Sequence, residues 1–138
     1  MRAWHEGIYG NEDAQDFLKI LQGIYEESED LNDFLTLSRN HSFNKYANCR
    51  FVLADLETEF DGEIYYYQDV LSMIDSELKT DALNYWINPD KREKVLKGFK
   101  EVLSNRLDRY NPHDLLTFYD IPNWIEEKVN ASIFESTI

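Results

Sequence analysis

Apolar residues recur at intervals of three and four along almost the whole chain, the period of an amphipathic helix. Asn11 has the chemistry of an N-cap. Glu12 and Asp13 follow in the first turn, where negative charge suits the helix dipole. Ala14, Phe17, Leu18, Leu21 and Tyr25 then share one face. A short second helix is predicted from Asp30, burying Leu31, Phe34 and Leu35. The third segment, about 44–60, is apolar around much of its circumference: Tyr46, Cys49, Leu53, Leu56 and Phe60 make a stripe that Ala47, Phe51 and Ala54 widen. That breadth predicts a central, largely buried helix.

Asp61-Gly62 ends this segment. A fourth helix carries Tyr67, Val70, Leu71, Ile74 and Leu78, with Asp81 to Trp86 as a separate turn. Asn88-Pro89-Asp90 is a helix start, an N-cap followed by proline at the first helical position. Its inward face is Leu96, Phe99, Val102, Leu103, Leu107 and Tyr110. Asn111-Pro112 repeats the signal for a short helix to Tyr119, and Pro122 opens the last helix, with Trp124, Ile125 and Val129 inward. Extended-chain signals are confined to Ala3–Tyr9 and Ser132–Ile138 and are too weak to place a strand. The expected fold is all-α: one compact bundle of six to eight helices with an extended N-terminal arm, over residues 1–138. With only 5 glycines and 3 prolines, no linker divides it.

Charge changes the picture. The chain carries a formal −13, and the charge is uneven: residues 1–81 hold 18 acids and 6 bases, residues 82–138 hold 9 and 8. A field of this sign repels nucleic acid and anionic lipid and attracts basic partners. Aromatics at 14% separate the chain from disordered acidic sequences. The single cysteine, Cys49, excludes an internal disulfide and fits a reducing compartment. The N-terminus lacks an apolar signal core and no apolar run is long enough for a membrane span, so a cytoplasmic location is expected.

Candidate chemistry is sparse. Framed from Glu57, the run to Gln68 places acids at positions 1, 3 and 5 of a calcium loop (Glu57, Glu59, Asp61), with Gly62 at 6 and Ile64 at 8. Position 1 is not aspartate, and Gln68 at position 12 cannot supply the bidentate carboxylate, so an acidic helix end followed by a glycine turn is the preferred reading. His5, His41 and His113 are isolated from other metal-type ligands, and Cys49 lies on the apolar stripe, where a core thiol is expected. Lys91, Arg92, Lys94 and their neighbours up to Arg109 are interleaved with acids and read as a salt-laced helix surface. No nucleophile elbow, phosphate loop or dinucleotide fingerprint occurs. No catalytic, metal or cofactor site is assigned.

Two acidic clusters remain as a candidate partner-binding face: Glu26, Glu27, Glu29, Asp30 and Asp33, and Asp55, Glu57, Glu59, Asp61 and Glu63. Tyr65 and Tyr66 follow the second directly; tyrosine beside carboxylates is the composition of a hot spot for arginine and lysine.

The opening Trp4, Gly7, Tyr9, Asn11, Ala14, Asp16, Phe17 and Leu18 resembles the start of a bacterial domain-of-unknown-function family with a W-G-x-G-x-F-x-N-D-x-A-x-D-[FW]-L pattern. His5 departs from the family's glycine and Glu12 from its aspartate. The resemblance covers about 15 residues. It implies an all-α fold with the N-terminal segment tucked against it, Gly7 permitting a close approach and Trp4 and Tyr9 anchoring the arm. It supplies no established reaction. The expectation is therefore a non-enzymatic binding protein, an immunity or inhibitor protein that occludes a basic partner such as a nuclease toxin, its carboxylates standing in for phosphates. The alternatives are a calcium protein using 57–68 and an enzyme whose site one sequence does not reveal.

Overall fold

The computed structural model describes residues 5–60, 62–105 and 115–136, the last six of these by backbone alone. Six α-helices lie within them: α1 (Glu12–Glu27), α2 (Leu31–Arg39), α3 (Ala47–Glu57), α4 (Tyr67–Lys79), α5 (Pro89–Ser104) and α6 (Ile121–Ser136). The all-α reading holds.

Local chemistry sets half of the α-helix starts. The Asn11 side chain accepts from the Ala14 N–H at 2.9 Å, Asp30 from Asp33 at 2.8 Å and Asn88 from Lys91 at 3.1 Å. Asp81–Tyr85 forms the separate 3-10 turn expected there. Between α3 and α4, Gly62 has φ of +149°, a conformation side chains disfavour.

α3 is the central element. Eight of its eleven residues are buried, so it presents core on nearly every side. One face, through Cys49, Val52, Leu53 and Leu56, packs with α1, Phe34 of α2, and Ile121, Trp124 and Ile125 of α6. The other, through Phe51 and Ala54, packs with Val70 and Ile74 of α4 and Leu96, Phe99 and Leu103 of α5. Burial of these side chains at about 1.5–3 kcal/mol each is the main stabilising term.

Four sequence expectations change. The helix expected from residue 44 begins at Ala47. Ser42–Lys45 is a 3-10 turn, and Tyr46 is extended and 41% exposed rather than on the buried stripe. The chain must reverse between α2 and α3, and the buried Asn44 amide pins that reversal by donating to the Ser38 carbonyl. The second change is the arm, which is curled rather than extended: the His5 N–H donates to the Gly10 carbonyl at 3.2 Å. A close approach occurs at Gly10, where a Cβ would lie 2.4 Å from His5 Nδ1. Third, the extended signal at Ser132–Ile138 yields to α6, which continues to Ser136. Fourth, the segment before α6 is irregular from 115 to 117, then a 3-10 turn at Phe118–Asp120. Trp4, Leu107, Tyr110, the Asn111-Pro112 helix start and His113 lie outside the described residues.

Arg92 corrects the surface reading of α5. It is fully buried, and all five guanidinium donors have acceptors. Nε donates to Glu77 at 2.7 Å, Nη1 to the carbonyls of Glu6 and Gly7, and Nη2 to Asn48 at 3.0 Å and to Glu77 at 3.3 Å. The guanidinium also lies 4.0 Å from the Trp86 ring centre. One side chain thereby joins α5, α4, α3, the arm and the turn before α5. In return, the Glu6 carboxylate accepts from the Asn88 N–H at 2.9 Å.

Candidate functional site

The first acidic cluster is intact. Glu26 and Glu27 end α1, and Glu29, Asp30 and Asp33 form the corner into α2. Asp33 accepts from the Glu29 N–H at 3.1 Å, which fixes the corner's shape. Glu26 and Glu27 stand at the negative end of the α1 dipole, and the last turn of α1 has no basic residue to offset them. None of these five carboxylates has an ion pair among the described residues.

The second cluster divides. Asp55 turns inward and accepts from the Tyr9 hydroxyl, which ties the arm to α3. Burial raises its carboxyl pKa, against the lowering influence of Tyr9 and Lys128. The Tyr9 phenol is raised well above its ordinary value by burial and by Asp55. Glu57 is 3% exposed; its Oε2 lies 2.6 Å from Arg39 Nη2 and accepts from the Tyr65 N–H at 3.3 Å. Position 1 of the calcium-like loop is thus an ion-pair partner, with Oε2 already engaged. Asp61 lies outside the described residues. Glu63 is exposed, without an ion pair among the described residues, and Tyr65 near it is 64% exposed.

The two tyrosines already have cations, and both are internal. Arg39 lies 4.9 Å from the Tyr65 ring centre and Arg50 4.3 Å from that of Tyr66. The Tyr66 hydroxyl also donates to the Arg39 carbonyl at 2.8 Å. The acidic corner meets the N-terminal end of α2 and the Glu63–Tyr65 turn meets Arg39 at its other end. Nine helical residues, about 13 Å at 1.5 Å each, separate them.

Glu59 belongs to a third place. It lines a groove of about 350 Å³ with Leu116, Asp120 and residues of α6, including Glu127 and Lys128. The Glu59 backbone is anchored to this wall through its carbonyl, which accepts from the Leu116 N–H at 3.0 Å. Asp120 caps its own turn, accepting from Thr117 N–H at 2.7 Å. Burial and then Asp55 raise the Glu59 pKa, with Lys128 opposing and Glu127 adding to the rise. Asp120 and Glu127 were missed because they lie about 60 residues from Glu59, in the near-neutral part of the chain; only the tertiary packing of α6 brings them there.

The remaining reactive side chains have structural positions. Cys49 is buried, with its thiol pushed up to about 12 by burial and then by Asp13 and Asp16. His5 Nδ1 accepts from the Gly7 N–H, and His41 Nδ1 accepts from the Phe43 N–H at the start of its turn. No group of three or more histidine, cysteine or acidic residues among those described is arranged to hold a metal ion. No described helix is long and apolar enough to cross a membrane. Comparison with family models, with characterised proteins and with solved structures finds no match.

Proposed function

We propose that this chain is a non-enzymatic acidic binding protein of bacterial type that neutralises a basic partner, such as a nuclease toxin, by electrostatic occlusion. The observation that carries this reading is a set of carboxylates placed against the interests of stability. Glu26 and Glu27 oppose the α1 dipole, Glu59 is partly buried beside Asp55, and all three lack an ion pair among the described residues. Acids selected only for solubility have no reason to occupy such positions; acids that await a cationic partner do.

The face we propose is narrower than the two sequence clusters. Asp55, Glu57 and Tyr66 hold the fold together, so the partner's contacts fall to Glu26, Glu27, Glu29, Asp30 and Asp33, and to Glu59, Glu63 and Tyr65. The test is the rate at which the cognate basic protein associates, followed by stopped flow over a range of salt. Steered association slows steeply as salt rises. Charge reversal at Glu59 and Glu63, together with Glu26 and Glu29, should slow it at low salt and flatten that dependence. An on-rate indifferent to salt and to these substitutions would remove the electrostatic mechanism.

A further inference from the structure

One stretch of the chain inverts the charge pattern of the rest. Residues 34–54 contain no acid, although the chain has 27, and they hold three of the six bases of residues 1–81: Arg39, Lys45 and Arg50. Arg39 is paired with Glu57, and Arg50 with Asp69 at 3.2 Å. Lys45 is exposed and has no ion pair among the described residues. Its ammonium lies 5.2 Å from the ring centre of Tyr46.

The same stretch is apolar on its outer surface. Leu37, Phe43 and Tyr46 are 42%, 39% and 41% exposed, three of the seven large apolar side chains that are exposed among the described residues. His41 stacks on Phe43 with ring centres 5.5 Å apart, and Phe43 lies 5.9 Å from Tyr46, so the rings form one patch just beyond the C-terminal end of α2. Stability does not explain Tyr46. It occupies the N-cap of α3, where serine, threonine, aspartate or asparagine would bond the helix, and its side chain makes no cap bond. An exposed aromatic patch beside a cation without an ion pair has the composition of an interaction surface.

We propose that this patch binds a second copy of the chain, with α2 of one protomer antiparallel to α2 of its partner. Charge complementarity along α2 itself argues for this occupant. Glu29, Asp30 and Asp33 stand at its N-terminal end, and Arg39, His41 and Lys45 at and beyond its C-terminal end. A two-fold axis across the middle of the helix sets each acidic corner over the other copy's aromatic patch. Both contacts form at once, which closes the pair. Asn32, Thr36, Leu37 and Asn40, all exposed on α2, line the middle, with Leu37 as the apolar contact. One nine-residue helix and its two ends make a small interface, so the dimer is weak and concentration-dependent. An acidic peptide would meet the patch but leave the corner uncovered; a second copy satisfies both ends. The inference stands apart from the acidic-binder reading and adds regulation to it, because a copy seated on the corner excludes the basic partner there.

The test is analytical ultracentrifugation of the full chain over a range of concentrations at physiological salt. Screening beyond about 8 Å there removes most of the overall −13 repulsion but not the contacts at an interface. The expected result is a monomer–dimer equilibrium. Lys45→Glu alone and Glu29→Lys alone should each weaken the dimer about tenfold, since each sets like charges against one another twice. An equimolar mixture of the two variants should recover it, because both contacts then pair opposite charges. Tyr46→Ser, which gives α3 a capping residue and so keeps the fold, should also weaken the dimer about tenfold. A monomer at every concentration up to about 1 mM would overturn the proposal. A dimer indifferent to Lys45→Glu and Tyr46→Ser, or variants that do not recover on mixing, would overturn this interface. None of these outcomes touches the acidic-binder reading, which is tested by the on-rate of the basic partner.

Discussion

Arg92 shows how far one side chain can bind a fold together. Its five donors are all used and its charge is balanced by Glu77, so removing it leaves a largely buried carboxylate and several buried acceptors without partners. Breaking such a pair typically costs about 3–5 kcal/mol. Arg92→Ala should lose stability of that size in urea unfolding, whereas Lys91→Ala or Lys94→Ala, on the exposed side of α5, should change it little. The sequence placed all three in one salt-laced stretch, because nothing local marks which cation turns inward. The partners of Arg92 lie 15, 44, 85 and 86 residues away. The same reason hid the inward turn of Asp55 and Glu57, whose partners are Tyr9 and Arg39. Cys49, by contrast, was legible: its place on an apolar stripe was enough to predict a core thiol, and in the native protein it should resist thiol reagents.

Asp55 and Glu59 also fix the sign of a pH dependence. Both carboxyls are raised in the folded state, mainly by burial, so the folded protein holds their protons more readily than the unfolded chain. Their contribution is fully present below their ordinary values, 3.8 and 4.5, and is lost as pH rises through the raised ones. Relief of self-repulsion in a −13 chain acts in the same direction. Asp75, lowered by its hydrogen bond to Lys100, opposes it, but that pair is at the surface and screened. Thermal melts should therefore shift upward on mild acidification from neutral pH. Asp55→Asn, which retains an acceptor for the Tyr9 hydroxyl, should reduce the slope without lowering stability at pH 7. A slope unchanged by Asp55→Asn would show that the buried carboxyl does not titrate as described.

At the scale of elements, helix starts were the most legible features, because capping is local chemistry. Asn11, Asp30 and Asn88 each cap where the sequence placed them. Asn11→Ala should cost about 1–2 kcal/mol in chemical denaturation, the upper part of the capping range, since the buried amide also donates to the Ile8 carbonyl. What periodicity could not separate was the reversal at 42–46 from the helix after it: Phe43 and Tyr46 continue the apolar spacing but lie partly in solvent. The end of α1 gives the opposite kind of prediction. Glu27→Lys removes a charge that the helix dipole opposes and should stabilise the fold by about 0.3–1 kcal/mol at low salt. If the corner receives a basic partner, the same substitution should slow association. Gained stability without slower binding would limit the corner to solubility.

The whole molecule is organised around α3, with α1, α2 and α6 on one side and α4 and α5 on the other. That arrangement follows from the breadth of the α3 apolar surface, which the sequence displayed. The functional surface was only half legible. Runs of acids are visible in sequence, and the corner at residues 26–33 survives as one. A groove assembled from Glu59, Asp120 and Glu127 is not, because its members are neighbours only after α6 packs against the end of α3. Net charge forecasts attraction to a cation; tertiary structure decides which carboxylates remain free to provide it.

The most direct measurement is affinity capture from the native host's lysate with the wild-type chain and, in parallel, a chain reversed at Glu26, Glu29, Glu59 and Glu63. Both are washed at low and then high salt, with stoichiometry read by mass spectrometry. One basic protein, bound in stoichiometric amount by the wild type, released by salt and lost by the reversed chain, is the predicted result. No stoichiometric basic partner, or one that the reversed chain retains equally well, would contradict the account.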